Sequence, residues 1–277
     1  MPSYRTDTGQ IEVLEWGDGP ELWVLLHAAA TGPRGFTGLA EALARPHRRI
    51  VAPALQRYGA TSVVEDGGRL AAHMAVAAWC LARYPAGRRV LFGHSMGGLI
   101  ALMLAGADEP AGAAVDSLVL YEPIALACLD PDDPVDRAER EWDRRLIADF
   151  ARRMAEGNPE AGIAGFINAW NETAWDSLPA SGRARLIQAA ADILTDIQDD
   201  GAGRLAPERI AAGTLTLWGA ESLPIMTRIR DRLRTRLRRE TSVVLDGAGH
   251  MAPLLAPAAV ATAIEAWLIR PGCQSPA

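Results

Sequence analysis

Short apolar runs alternate with amphipathic segments over both ends of the chain. The runs at 22–26, 90–92 and 117–121 are continuously apolar or nearly so, which is typical of strands buried on both faces of a sheet. Segment 69–84 instead repeats its apolar residues at helical spacing. Further strands are predicted at 11–14, 49–52, 214–218 and 241–245, and further helices at 38–44, 225–239 and 260–269. This alternation predicts an α/β protein with a doubly wound, mostly parallel sheet.

The alternation stops in the middle of the chain, between residues 124 and 212. This region has helical apolar patterns separated by proline and glycine, and no convincing strand. The sequence therefore predicts an α/β core formed by residues 1–123 and 213–277, and an all-helical cap formed by residues 124–212. Because the insertion begins just past the carboxyl end of a strand, where α/β proteins bind ligands, we expect it to form a lid over the site. A helical subdomain away from the site is the alternative.

Composition narrows the classes of function. A length of 277 residues suffices for one large α/β domain with an insertion, and a net charge of −6 argues against a nucleic-acid surface. No signal peptide or membrane span is evident, so we expect a cytoplasmic protein without membrane contact. Three scattered cysteines and five histidines lack metal-ligand or disulfide spacing, so no metal site is expected. The oligomeric state is left open, a homodimer included.

Segment 90–98, V-L-F-G-H-S-M-G-G, carries the main chemical signal of the chain. The motif G-x-S-x-G is informative where a strand, a tight turn and a helix follow one another, because the turn then exposes the serine hydroxyl. The pentapeptide alone arises by chance in a chain with 26 glycines, so its interpretation depends on this context and on partners for the serine. Ser95 is the candidate nucleophile, and the amide of Met96 is a candidate oxyanion donor.

A serine hydroxyl needs a base in contact, and His250 is the best candidate. It follows the last predicted strand in D-G-A-G-H-M, where glycines allow a sharp turn. His94 is interpreted as structural because it points elsewhere on the turn. His27 follows the strand at 22–26, so it is expected to shape the oxyanion loop and to border the substrate pocket. The amide of Ala29 in that loop is the second candidate oxyanion donor.

Several segments, taken in order, resemble the α/β-hydrolase superfamily over nearly the whole chain. They are L-L-H at 25–27, G-H-S-M-G-G at 93–98, L-Y-E-P at 120–123, T-L-W-G at 216–219 and G-A-G-H-M at 247–251. The resemblance implies that superfamily's fold with a cap after its sixth strand, an acyl-enzyme formed on Ser95, a small acyl substrate, and neither metal nor organic cofactor. The usual His-Gly and Pro-Asp pairs of the superfamily are His27-Ala28 and Pro53-Ala54 here, and the first change is expected to narrow the oxyanion hole.

The acid that orients His250 is ambiguous from the sequence. The superfamily's usual acid position, shortly after Gly219, holds Ser222, which carries no charge. Glu122 at the end of the preceding strand is preferred, because a triad is defined by geometry and some similar haloalkane dehalogenases place their acid there. Their nucleophile is an aspartate, so dehalogenation is not implied. Glu221 is the alternative. Without a catalytic role, Glu122 would be a buried structural acid and Glu221 a solvated turn residue.

The predicted function is hydrolysis of an ester or related acyl bond in a small, hydrophobic substrate. Four aromatic residues of the cap are expected to contribute to the pocket, although helical spacing alone also fits core positions. They are Trp142, Phe166, Trp170 and Trp175. Thioester, lactone and carbon–carbon bond cleavage stay open, as do two other classes: a non-hydrolytic cyclase or acyltransferase, and a catalytically inert ligand-binding protein.

Overall fold

The computed structural model describes residues 1–64, 66–107, 115–171 and 173–269, which form one nine-stranded sheet. Its strands are β1 (Ser3–Thr6), β2 (Gly9–Trp16), β3 (Glu21–Leu26), β4 (Arg48–Pro53), β5 (Ser62–Val63), β6 (Arg88–His94), β7 (Ser117–Tyr121), β8 (Gly213–Gly219) and β9 (Glu240–Leu245). Their spatial order is β1-β2-β4-β3-β6-β7-β8-β9, and β5 also pairs with β2. The pairings from β4 to β9 are parallel, whereas those involving β2 are antiparallel. The predicted doubly wound, mostly parallel sheet is confirmed.

Helices cover both faces of the sheet and fill the insertion. Their bounds are α1 (Thr37–Leu43), α2 (Gly68–Arg83), α3 (Met96–Ala105), α4 (Pro134–Ala155), α5 (Pro159–Trp170), α6 (Ala180–Ile197), α7 (Pro224–Arg234), α8 (Ala252–Leu255) and α9 (Pro257–Leu268). Strand β3 explains the layers, because Leu22, Val24 and Leu26 enter the core that includes α2 and α3. Trp23 and Leu25 enter the core on the opposite face, with α1 and α9. Burial on both faces accounts for the continuous apolar run.

The helical insertion follows β7, which is sixth in chain order when the two-residue β5 is left out. No strand occurs in the described residues between Ile124 and Ala212, and α4, α5 and α6 supply most of the helical residues there. The insertion has a small core of its own, made by Phe150, Ile163, Ile167, Trp175, Ala190 and Ile193. It is therefore packed internally as well as against the sheet domain.

Two groups of ion pairs join the insertion to the α/β core. Arg228 and Arg232 of α7 each bind both Asp133 and Asp136 at the start of α4, with N–O distances of 2.5 to 2.8 Å. On the other side, Arg69 of α2 binds Asp192 and Asp196 of α6. Asp136 and the Asp196 side chain are buried, so these contacts are better shielded from solvent than ordinary surface pairs. They hold both ends of the insertion over the sheet.

Two of the three cysteines lie in the part of the chain that the structure describes. Cys80 and Cys128 are buried free thiols, while Cys273 and the rest of 270–277 lie outside the described residues. Among the described helices, none has both the length and the apolar character needed to cross a bilayer.

Candidate active site

Ser95 occupies a strained turn between β6 and α3. Its φ of 56° and ψ of −117° are unfavourable for a residue with a side chain, and such strain persists only where surrounding contacts fix the backbone. Here the Ser95 amide donates to the Tyr121 carbonyl at 3.0 Å, and its carbonyl accepts from the Ile124 amide at 3.2 Å. The turn is therefore anchored to the end of β7, and the Ser95 side chain lines a cavity above the sheet.

Glycine is required beside this turn for steric reasons. A Cβ at Gly97 would lie 2.1 Å from the Leu26 carbonyl oxygen, and one at Gly93 would lie 2.4 Å from the Gly97 carbonyl oxygen. Both neighbours are backbone atoms, which cannot rotate away. The close packing of α3 against β3 and β6 therefore requires glycine at both positions.

Gly97→Ala is expected to lower the free energy of unfolding by about 3 kcal/mol, because the added methyl group overlaps backbone. Urea denaturation followed by circular dichroism measures this loss. Gly165→Ala is the matched control, since Gly165 lies in α5 with no neighbouring atom within 4 Å of a Cβ. That variant is expected to gain about 0.5–1 kcal/mol. Equal stability of the two variants would contradict the steric explanation.

The side chains of Ser95, His250 and Glu122 form one continuous chain of hydrogen bonds. His250 Nε2 lies 3.1 Å from Ser95 Oγ, and His250 Nδ1 lies 2.8 Å from Glu122 Oε2. Glu122 is fully buried, and its other oxygen, Oε1, accepts from the Gly219 amide at 2.7 Å. With Nδ1 donating to the carboxylate, Nε2 is free to accept the serine proton.

The alternative acid lies elsewhere. Glu221 is exposed, and no hydrogen bond within the described residues connects it to His250. Ser222 has a buried hydroxyl for which the described part of the chain supplies no hydrogen-bond partner. Glu122 reaches His250 because it directly follows β7, with a φ of 42° that turns the chain over the sheet edge. In the structure, Glu122 is thus the carboxylate that contacts His250.

Two side chains from β6 and β7 hold the loop that carries His250. The Tyr121 hydroxyl donates to the Gly249 carbonyl at 2.7 Å, and His94 Nε2 donates to the His250 carbonyl at 2.8 Å. Burial lowers the pKa of His94 well below its usual value, so this imidazole stays neutral at neutral pH. The structural role expected for His94 therefore consists of fixing the loop beside Ser95.

Two backbone amides beside Ser95 are available as donors. Neither the Met96 amide nor the Ala29 amide is used in a hydrogen bond within the described residues. Both residues line the same cavity as Ser95 and His250. The loop carrying Ala29 is fixed by His27, whose Nε2 accepts from the Leu55 amide at 3.1 Å while Nδ1 donates to the Ala28 carbonyl at 2.9 Å. Burial lowers the pKa of His27 to about 3, so it remains uncharged.

Comparison with known proteins identifies the family. The sequence profile of the alpha/beta hydrolase family matches residues 23–263, most of the chain. The chain belongs to the alpha/beta hydrolase family. No curated protein sequence matches it.

Solved structures with this fold cover nearly the whole chain. An alpha/beta hydrolase enzyme from a Medee basin deep-sea metagenome library, MGS-M2, is 13% identical, with a TM-score of 0.76 and full coverage of both chains. An esterase from Exiguobacterium antarcticum is 18% identical, with a TM-score of 0.71 over 94% of this chain and 96% of its own. A thermophilic esterase from Thermogutta terrifontis is 21% identical, with a TM-score of 0.69 over 97% of this chain and 98% of its own. At such identities these structures establish the fold alone.

The cavity of this alpha/beta hydrolase differs in part from the predicted pocket. Phe166 and Trp170 line it, and the Trp170 ring centre lies 5.1 Å from that of His250. His27, Trp142 and Trp175 are not among the lining residues. His27 is buried beneath the loop that carries Ala29, Trp142 packs edge-on against Trp170, and Trp175 lies in the core of the insertion. Helical spacing identified buried aromatic residues but not which of them face the cavity.

Among the cavity residues that the sequence did not predict, Asp143 is the one with a recognisable signal. Asp143 of α4 is 7% exposed and lines the cavity together with Ser95. Its position carried a signal, because it lies three and seven residues before Leu146 and Phe150, on the apolar side of the predicted helix. A carboxylate at a position where the pattern expects an apolar residue is a candidate for function.

No group of three or more histidine, cysteine, aspartate or glutamate side chains is arranged to hold a metal ion in the parts of the chain described. Asp143, Asp196, Asp199 and Asp200 all line the cavity, but their geometry is not that of a ligand cage.

Proposed function

We propose that this protein is a serine hydrolase that cleaves an ester or related acyl bond of a small, mainly hydrophobic substrate through an acyl-enzyme. The observation that carries the proposal is the continuous hydrogen-bond chain from Ser95 through His250 to Glu122. A nucleophile, a base and an orienting acid in this order, beside unused amides, are the parts that acyl transfer needs. Membership of the alpha/beta hydrolase family supports the same conclusion.

Each residue of the site has a defined part in the proposed reaction. As Ser95 Oγ attacks the acyl carbon, its proton passes to His250 Nε2, and Glu122 stabilises the imidazolium that forms. The amides of Met96 and Ala29 donate to the oxyanion. His250 then gives the proton to the leaving group, which departs and leaves the acyl group on Ser95. Water attacks this ester with His250 again as the base. The acid product is released and the Ser95 hydroxyl is regenerated.

The surroundings of Ser95 favour an apolar substrate. The cavity contains about 630 Å³ of empty space, including the part open to solvent, and its walls include Leu99, Ile124 and Leu126. A second, wider cavity of about 1560 Å³ adjoins it. The two share Ala29, Phe166, Asn171 and Met251 as lining residues. We assign the two sides of the scissile bond to these two cavities, with the oxyanion loop at their junction.

A panel of p-nitrophenyl esters, with acyl thioesters and lactones beside it, tests the proposed function. We expect a burst of p-nitrophenol equal to the enzyme concentration, because p-nitrophenol is a good leaving group and makes acylation of Ser95 faster than hydrolysis of the acyl-enzyme. Mass spectrometry of the quenched reaction should show one acyl group on Ser95. An added alcohol or amine separates hydrolysis from transfer, and we expect mainly the free acid. Failure to acylate Ser95 with every class of ester would refute the proposal.

A further inference from the structure

The lining of the cavity beside Ser95 includes several acidic side chains. Four aspartates line it, and three of them have arginine partners: Asp196 binds Arg69, Asp199 binds Arg204 and Asp200 binds Arg140. Such pairs offset most of the charge of these three carboxylates. The fourth, Asp143, is different.

Within the residues that the structure describes, Asp143 has neither a hydrogen bond nor an ion pair. It is 7% exposed, so it has lost most of its water without gaining a partner. Burial, followed by the charge of Asp200, raises the pKa of Asp143 to about 6, which still leaves it mainly ionised at neutral pH. An isolated buried carboxylate costs several kcal/mol unless another group compensates it.

The arginines on the same helix do not provide that compensation. Arg140 is engaged by Asp200 at 3.0 Å and by the Leu126 carbonyl at 3.3 Å. Arg144, on the next position after Asp143, is exposed. Both lower the pKa of Asp143 only as distant charges, after the opposing effects of burial and Asp200. The unpaired negative charge therefore faces the cavity that Ser95 and His250 also line.

We propose that Asp143 binds a positively charged nitrogen, a protonated amine or a quaternary ammonium group, carried by the acyl substrate. This inference rests on the proposed function, since it names the substrate class of the same site. Trp170 and Phe166 line the same cavity, and aromatic faces attract cations beside a carboxylate. The substrate is then an ester with an apolar body and one cationic end.

Two pairs of esters test this assignment by measuring a ratio. In one pair the leaving alcohol is choline or its neutral tert-butyl isostere, and in the other the acyl chain ends in trimethylammonium or in tert-butyl. For at least one pair, kcat/KM of the wild type should be about tenfold or more higher for the charged ester. A tenfold ratio corresponds to the weakest coupling energies measured for close, desolvated charge pairs. Asp143→Asn should reduce that ratio to nearly one, because the amide keeps the shape and removes the charge.

Asp149→Asn is the matched control, since Asp149 lies on the same helix and pairs with Arg152 and Arg153 at the surface. It should retain the wild-type ratio. A wild type that cleaves the neutral esters without preferring either charged one would overturn the assignment, as would an Asp143→Asn variant that keeps the preference. The second result would show that groups other than the Asp143 carboxylate recognise the cation.

A binding measurement separates this inference from the proposed function. Calorimetric titration with benzyltrimethylammonium chloride needs no turnover, and we expect binding to the wild type and at least about tenfold weaker binding to Asp143→Asn. If the wild type cleaved no ester but showed this binding pattern, the hydrolase proposal would be refuted and the cation site supported. Absence of binding to the wild type would remove the cation site, whether or not esters are cleaved.

Discussion

Replacing Ser95 with alanine should reduce kcat for a short p-nitrophenyl ester by about a million-fold, the size of loss seen when the nucleophile of such a triad is removed. The variant has no group at this position that can form the acyl-enzyme, while the fold and cavity remain. A stopped assay with concentrated enzyme measures the residual rate. Serine and alanine both carry a Cβ, so the backbone strain at a φ of 56° is the same in the variant. The free energy of unfolding should therefore change little.

Ser222→Ala is the matched control for this loss. Ser222 also has a buried hydroxyl, and it lies at the family's usual acid position, but within the described residues that hydroxyl has no partner. We expect kcat within about threefold of the wild type, since a group with no contact to the reacting atoms contributes little to the transition state. If Ser95→Ala retained most of its activity, Ser95 would not be the nucleophile. If Ser222→Ala lost its activity, the Ser222 hydroxyl would contribute to the reaction and the control would contradict its lack of a role.

Glu122→Gln should reduce kcat by about ten-thousand-fold, as expected when the acid of a triad becomes an amide. Glu122 binds two groups, the Gly219 amide at 2.7 Å and His250 Nδ1 at 2.8 Å. In the variant, the glutamine oxygen must face the Gly219 amide, so its NH₂ group faces Nδ1. His250 then carries its proton on Nε2, where it can no longer accept the proton of Ser95.

Glu221→Gln, measured beside it, should retain kcat within about twofold, because the Glu221 side chain is exposed and its charge is screened by water. Thermal unfolding of both variants checks that they are folded. Loss of activity in Glu221→Gln alone would transfer the role of acid to Glu221 and would require a different position of the loop that carries His250.

Features formed by residues close together in the sequence were predictable, because steric limits and hydrophobicity within the segment determine them. The turn at Ser95 follows from steric limits on its two glycines, and the strand at 22–26 follows from continuous apolar character. Edge strands gave weaker signals. β1 alternates exposed and half-buried residues and gains its pairing only from β2, so its sequence has no apolar run. The helix predicted at 225–239 ends earlier, at Arg234.

Contacts between residues far apart in the sequence could not be predicted from the hydrophobic pattern alone. Which of Glu122 and Glu221 contacts His250 depends on where β7 ends relative to the His250 loop, a property of the assembled sheet. Helical spacing likewise could not tell that Trp170 faces the cavity while Trp175 fills the core of the insertion. The absence of a partner for Asp143, seen within the described residues, also became evident only once α4 was packed.

Activation of Ser95 by its contact with His250 can be measured by covalent labelling. A fluorophosphonate should attach to Ser95 of the wild type, located by peptide mass spectrometry, and should react at least about a thousand-fold more slowly with His250→Ala, in which no base contacts the hydroxyl. A wild type that is not labelled at Ser95, or a His250→Ala variant labelled at the same rate, would contradict the account.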